Sequence, residues 1–167
     1  PPVFYQEIYD IALNNYLAML AVSPDKKLLQ RAIEINIAER NASNNSLKSM
    51  FNSAKIFIIA KQYDQAEQSF QEIAQNKEPH PLIYEYWGNM YFDQGKFADA
   101  AQIYTRLLDL LPGYWMAPVL SKKPLTNQQR IIWKSHPDFM KTLEKITAAY
   151  QNTGQSDIAT AIINKLQ

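Results

Sequence analysis

The chain has 167 residues, 47% of them apolar and 20% charged, with a formal net charge of +1. That length suits one domain or one short repeat array with a real core, and the near-neutral balance gives no global footprint for nucleic acid or an acidic ligand. The absence of cysteine excludes disulfides and thiol chemistry.

No apolar run approaches the ~18 residues needed to span a bilayer; the longest candidate, residues 8–22, is broken by Asn14 and Asn15. The sequence opens on PPVFY rather than Met, and it reads as a processed or excised piece, with no membrane insertion by this segment. Apolar positions Phe4, Ile8, Ile11, Leu13, Tyr16, Leu17 and Leu20 predict a helix over residues 3–21. The following SPDKK is a helix start, with Ser23 as N-cap, Pro24 in the first helical position and Asp25 in the first turn. A second helix then runs to about Arg40 and ends in the polar NASNN, so residues 3–45 form a degenerate helical hairpin.

Two copies of one pattern come next. Phe57 and Tyr91, Tyr63 and Phe97, Ala66 and Ala100, Phe70 and Tyr104, and Ile73 and Leu107 each lie 34 residues apart. Fixed self-similarity at this period predicts stacked hairpins, each of two amphipathic helices, over 47–80 and 81–114. Gly88 and Ala100 are small where two helices must approach closely, and Tyr84, Trp87, Tyr91 and Tyr104 fill the space between hairpins. Gly95 ends one helix in a conformation with positive φ, and Pro112 stops the next.

These residues resemble the tetratricopeptide repeat. The match is strongest over 81–114, where Trp87, Gly88, Tyr91, Ala100, Tyr104 and Pro112 carry it and Leu107 departs from the usual Ala. It extends to 47–80 through Ala54, Phe57, Ala66, Phe70 and Ile73. An incomplete copy, or a cap, follows over 140–167 through Leu143, Thr147, Tyr150, Gly154 and Ala159. The resemblance implies an all-α fold: a right-handed superhelical stack of antiparallel helical hairpins, with an insertion between repeats.

The insertion covers residues 115–139. Thr126 followed by Gln129 is a capping-box pattern and predicts a short helix at about 127–135. One reading makes Trp115, Met116, Trp133 and Phe139 a hydrophobic plug over the end of the preceding repeat. Another makes Trp115, Arg130 and Trp133 a partner-specific surface. Basic residues beside two tryptophans also match single-stranded nucleic-acid readers, but the near-neutral chain excludes that ligand.

Catalytic motifs are missing. His80 and His136 each precede Pro and read as turn residues, no HExxH, Walker or GxGxxG pattern occurs, and the scattered carboxylates read as solvated helix faces. No metal, cofactor or enzymatic activity is expected of the chain itself.

The resemblance implies a concave groove lined by the first helix of each hairpin. Carried over residue by residue, the groove comprises Lys48, Phe51, Lys55, Ile58 and Ile59, then Leu82, Glu85, Asn89, Phe92 and Asp93, then Lys141, Glu144, Ala148, Gln151 and Asn152. Phe51, Asn89 and Phe92 are the leading residues, since Asn bonds a peptide backbone and Phe supplies anchoring area. The alternative is that Phe51, Ile58 and Ile59 pack on the N-terminal hairpin. A clamp for a C-terminal carboxylate is disfavoured: Lys141 and Lys145 imitate its last two cations, but Phe51 and Tyr86 stand where it needs Lys and Asn. The expected function is a non-catalytic module binding a protein or peptide partner. The Asn-, Lys- and Ile-rich usage points to a bacterial source, and either the cytoplasm or the periplasm is compatible. Two alternatives stand beside it: a soluble extracytoplasmic accessory domain of a bacterial membrane glycan polymerase or ligase, and self-association into a homo-oligomer through an open repeat edge.

Overall fold

The computed structural model describes residues 3–23, 25–76, 80–109, 124–135, 137–165 and 167. Every regular element among them is an α-helix: α1 (Val3–Val22), α2 (Lys26–Ala42), α3 (Leu47–Ile59), α4 (Tyr63–Asn76), α5 (Pro81–Asp93), α6 (Phe97–Asp109), α7 (Asn127–Lys134), α8 (Pro137–Asn152) and α9 (Ser156–Asn164). The helices group into two compact units, Pro1–Pro79 and His80–Gln167, whose boundary falls where the two 34-residue copies meet.

Helix starts are set by side chains that accept the orphan N–H groups of the first turn. The cap of α2 is Asp25 rather than Ser23: its carboxylate accepts from the N–H groups of Lys27 at 2.7 Å and Leu28 at 3.1 Å. A carboxylate there also meets the positive end of the helix dipole, an advantage a serine hydroxyl lacks. Pro24 lies outside the described residues. Ser46 caps α3, and His80 caps α5 by accepting from the Leu82 N–H at 3.2 Å, with Pro81 in the first helical turn. The capping box of α7 closes in both directions, Gln129 N–H to Thr126 Oγ1 at 3.2 Å and Thr126 N–H to Gln129 Oε1 at 2.9 Å.

The turns inside the three later hairpins share one geometry. Gln62 N–H bonds Phe57 O, Lys96 N–H bonds Tyr91 O and Gln155 N–H bonds Tyr150 O, at 2.8, 3.0 and 2.9 Å. In each turn the residue before the donor has positive φ: Lys61 at +58°, Gly95 at +73° and Gly154 at +76°. Glycine adopts this conformation without a Cβ penalty, whereas Lys61 bears one.

In Pro1–Pro79, α1 pairs with α2 and α3 with α4, while α3 seats chiefly on α2 and also reaches α1. Leu13, Leu17, Leu20, Ala32 and Ile56 form the shared core, with Ile59 packed against it. Between α2 and α3 the joint is polar. The buried Glu39 carboxylate accepts from Asn36 Nδ2 at 3.1 Å and from Asn52 Nδ2 at 3.0 Å, and Ser53 donates to Asn36 Oδ1.

In His80–Gln167, α5 pairs with α6 and α8 with α9. Again the first helix of the following hairpin, α8, seats chiefly on the second helix of the preceding one, α6, and touches the first, α5; α7 lies against α8. Tyr84, Trp87, Tyr91, Tyr104, Leu107, Leu143, Ile146 and Tyr150 are buried. The insertion therefore leaves hairpin-on-hairpin seating intact. Pro112, Trp115 and Met116 lie outside the described residues.

A Cβ added to Gly88 would sit 2.4 Å from Cε1 of Tyr104, a fully buried ring with no room to retreat. Gly88→Ala is therefore expected to cost about 2 kcal/mol through overpacking, read as a lowered melting temperature by circular dichroism. Lys61→Gly should do the opposite, raising stability by about 0.5 kcal/mol as relief of positive-φ strain outweighs the added chain entropy.

Candidate functional site

On α5, Glu85, Asn89 and Phe92 recur at i, i+4 and i+7 and so share one side of the helix, with Asp93 beside them. The carboxamide oxygen of Asn89 accepts a 2.7 Å hydrogen bond from the Tyr104 hydroxyl. That phenol is raised far above its ordinary pKa, mainly by burial and further by the charges of Asp93 and Glu85, so it remains a donor. The carboxamide nitrogen of the half-buried Asn89 donates to no described residue, which leaves two N–H groups to offer a ligand.

α8 completes this surface. Lys145 Nζ lies 2.6 Å from Asp93 Oδ1 and 5.9 Å from the centre of the Phe92 ring. Phe92 also meets Phe97 edge-on, with centroids 5.2 Å apart. Deeper in, Thr142 Oγ1 donates to Glu85 Oε1 at 3.2 Å, and both residues are buried. Glu85 thus holds α8 against α5, while Asn89, Phe92 and Asp93 form the accessible part. Of the α8 residues carried over from the resemblance, Lys141, Glu144, Gln151 and Asn152 are exposed and Ala148 is half-buried. Lys145 and Thr142, absent from that set, make the contacts. Their signal lay in being one residue out of step on the same helix, which spacing alone cannot resolve.

The other unit builds a similar surface on α3. Lys48, Phe51 and Lys55 follow one another at i, i+3 and i+7, and Lys48 forms an ion pair with Asp10 of α1. In both units, then, a Lys–Asp pair ties together the first helices of successive hairpins. Phe51 leans on Phe70 of α4 with centroids 6.4 Å apart, and Lys55 Nζ stands 5.3 Å above the Phe51 ring. Ile58 is half-buried, whereas Ile59 joins the core below α1 and α2. The packing alternative raised from sequence thus describes Ile59.

Arg130 on α7 is turned back onto its own helix start, donating to Leu125 O from Nη2 at 3.2 Å. Trp115 and the side chain of Trp133 lie outside the described residues, as does His136. Among the described residues no group of His, Asp and Glu could hold a metal ion, and no helix is long and apolar enough to cross a membrane. No known family, curated protein or solved structure matches this chain.

Burial holds the Lys55 ammonium below its ordinary pKa, against the opposing pull of Glu39 and Asp10 and with a further depression from Lys48. The folded state releases this proton more readily than the unfolded chain. Stability should therefore rise with pH from the folded value up to the ordinary 10.5. Lys55→Met is expected to raise the melting temperature at pH 7 and to flatten that alkaline rise, both visible in thermal melts across pH.

Proposed function

We propose that this chain is a non-catalytic interaction module, with tetratricopeptide-type hairpin stacking inside each unit, that binds a peptide segment or helix of a protein partner. The reading rests chiefly on Asn89. Its oxygen is fixed by a core tyrosine, so the amide is pre-oriented, and its nitrogen keeps two donors for a backbone carbonyl. Beside it, Phe92 offers apolar area, and the Asp93–Lys145 pair sets a polar rim. An anchor, an oriented donor and a rim are the elements of a peptide site. The repeat period and the recurrent hairpin turn support the family resemblance, and the Lys48–Phe51–Lys55 row offers a comparable surface in the other unit.

Selection from a displayed peptide library on the 167-residue chain tests the reading. Selected peptides should lose about tenfold or more in affinity for an Asn89→Ala/Phe92→Ala variant that melts like wild type, the loss of an anchor and a hydrogen bond together. Equal affinity for both proteins, or no enrichment of peptides at all, would rule the site out.

A further inference from the structure

The outward side of α1 has no part in that site. Opposite Leu13, Leu17 and Leu20, which enter the core, Ile8, Ile11, Met19 and Val22 are 46%, 64%, 52% and 88% exposed. Asn15, between them, is exposed as well. At 3.6 residues per turn these five side chains fall within an arc of about 80°. From Ile8 to Val22 the one charged residue is Asp10, which lies off this arc and is paired with Lys48.

Two properties of the stripe suit it to a second copy of itself. The first is symmetry. The steps from Ile8 to Ile11, Asn15, Met19 and Val22 are 3, 4, 4 and 3 residues, so the stripe has the same spacing from either end, with Asn15 at its centre. The second is the lack of charge. A peptide rich in charged residues finds no counter-charge there, and an anionic membrane surface finds no cation, because α1 contains neither Lys nor Arg. A copy of the same stripe brings no like charges together.

We propose that α1 is a homotypic docking helix, through which two copies of this chain pair antiparallel about a two-fold axis at Asn15. In that arrangement Ile8 meets Val22 of the second copy, Ile11 meets its Met19, and the two Asn15 carboxamides exchange hydrogen bonds. Such an interface is isologous, each stripe serving both as donor and as acceptor surface. A lone Asn pair inside an apolar seam fixes register while lowering stability. The seam is about 21 Å long, so the dimer is a weak, concentration-dependent one.

The chain has no cysteine, so single-cysteine variants report the geometry without background. Asn15→Cys should oxidise to a covalent dimer at least about ten times faster than Asn14→Cys, which is also exposed but sits about 100° further round the helix. Sedimentation of the cysteine-free chain should show a dimer growing with concentration up to about 1 mM, and Ile11→Glu/Met19→Glu should return it to monomer with unchanged circular dichroism. Equal oxidation rates, a wild type that stays monomeric, or a dimer that survives the double substitution would each overturn the proposal. So would a monomeric wild type that binds phosphatidylglycerol–phosphatidylethanolamine vesicles through the same side chains, since that assigns the stripe to a lipid surface. Asn89→Ala/Phe92→Ala is expected to leave dimerisation untouched, so this proposal and the peptide site stand or fall separately.

Discussion

Helices α5 and α6 come together where α5 has no side chain to hold them apart. Gly88 leaves a gap, and the ring of Tyr104 occupies it so fully that one added carbon would overlap it. The same ring carries the hydroxyl that fixes Asn89. A packing constraint in the core is thereby converted into the orientation of a surface amide. Because the phenol is desolvated and feels the charges of Asp93 and Glu85, its ionisation is pushed far above the ordinary range and it stays a donor. Core and candidate site are two ends of one side chain.

The joints between hairpins follow one plan with different chemistry. In the first unit, α2 meets α3 through the Glu39–Asn52 bond and through Asn36, whose amide donates to Ser49 O and accepts from Ser53. In the second, α6 meets α8 through the paired hydroxyls of Thr105 and Tyr150, 3.1 Å apart, and α5 meets α8 through Glu85 and Thr142. Buried polar groups are costly unless bonded, so the Glu39–Asn52 and Glu85–Thr142 pairs, all four residues buried, accept one register of the facing helix and penalise a slip by a turn. The apolar core supplies most of the driving force, and these few bonds select the arrangement. The exposed Lys–Asp pairs between first helices add little to stability; they shape the charge of the accessible surface instead.

What the sequence made legible depended on whether one residue type solves a local problem. Gly88, Gly95, Gly154 and the Thr126–Gln129 box each answer a geometric demand that few residues can meet, and all appear where their spacing places them. Lys61 shows the limit: it occupies the glycine position of its turn, so residue identity gave no sign of the positive φ that the 34-residue offset from Gly95 implied. The start of α2 was misplaced by two residues because Ser and Asp both cap well and the dipole decided between them. At the candidate site, Asn89 and Phe92 follow from the repeat and Lys145 enters only as a cation of the disfavoured carboxylate clamp, while Thr142 has no signal of its own in the sequence. Which face of α8 meets α5 is fixed by tertiary packing, and the 34-residue spacing that would give its phase is interrupted by the insertion. The unpartnered side of α1 was hidden in the same way, since a helix apolar on both sides reads from sequence as simply hydrophobic.

The seating of α8 directly on α5 and α6 has a consequence for how this unit tolerates change. The contacts that align α8 belong to the helices it seats on, so its register does not depend on the number of residues that separate it from α6 in the chain. The entropy of closing a loop between packed elements grows only with the logarithm of its length, roughly 0.6 kcal/mol for each doubling. A difference in the number of residues joining two hairpins therefore costs the stack little by itself, and the register of α8 is carried by side chains such as Thr142 and Tyr150 rather than by spacing in the sequence.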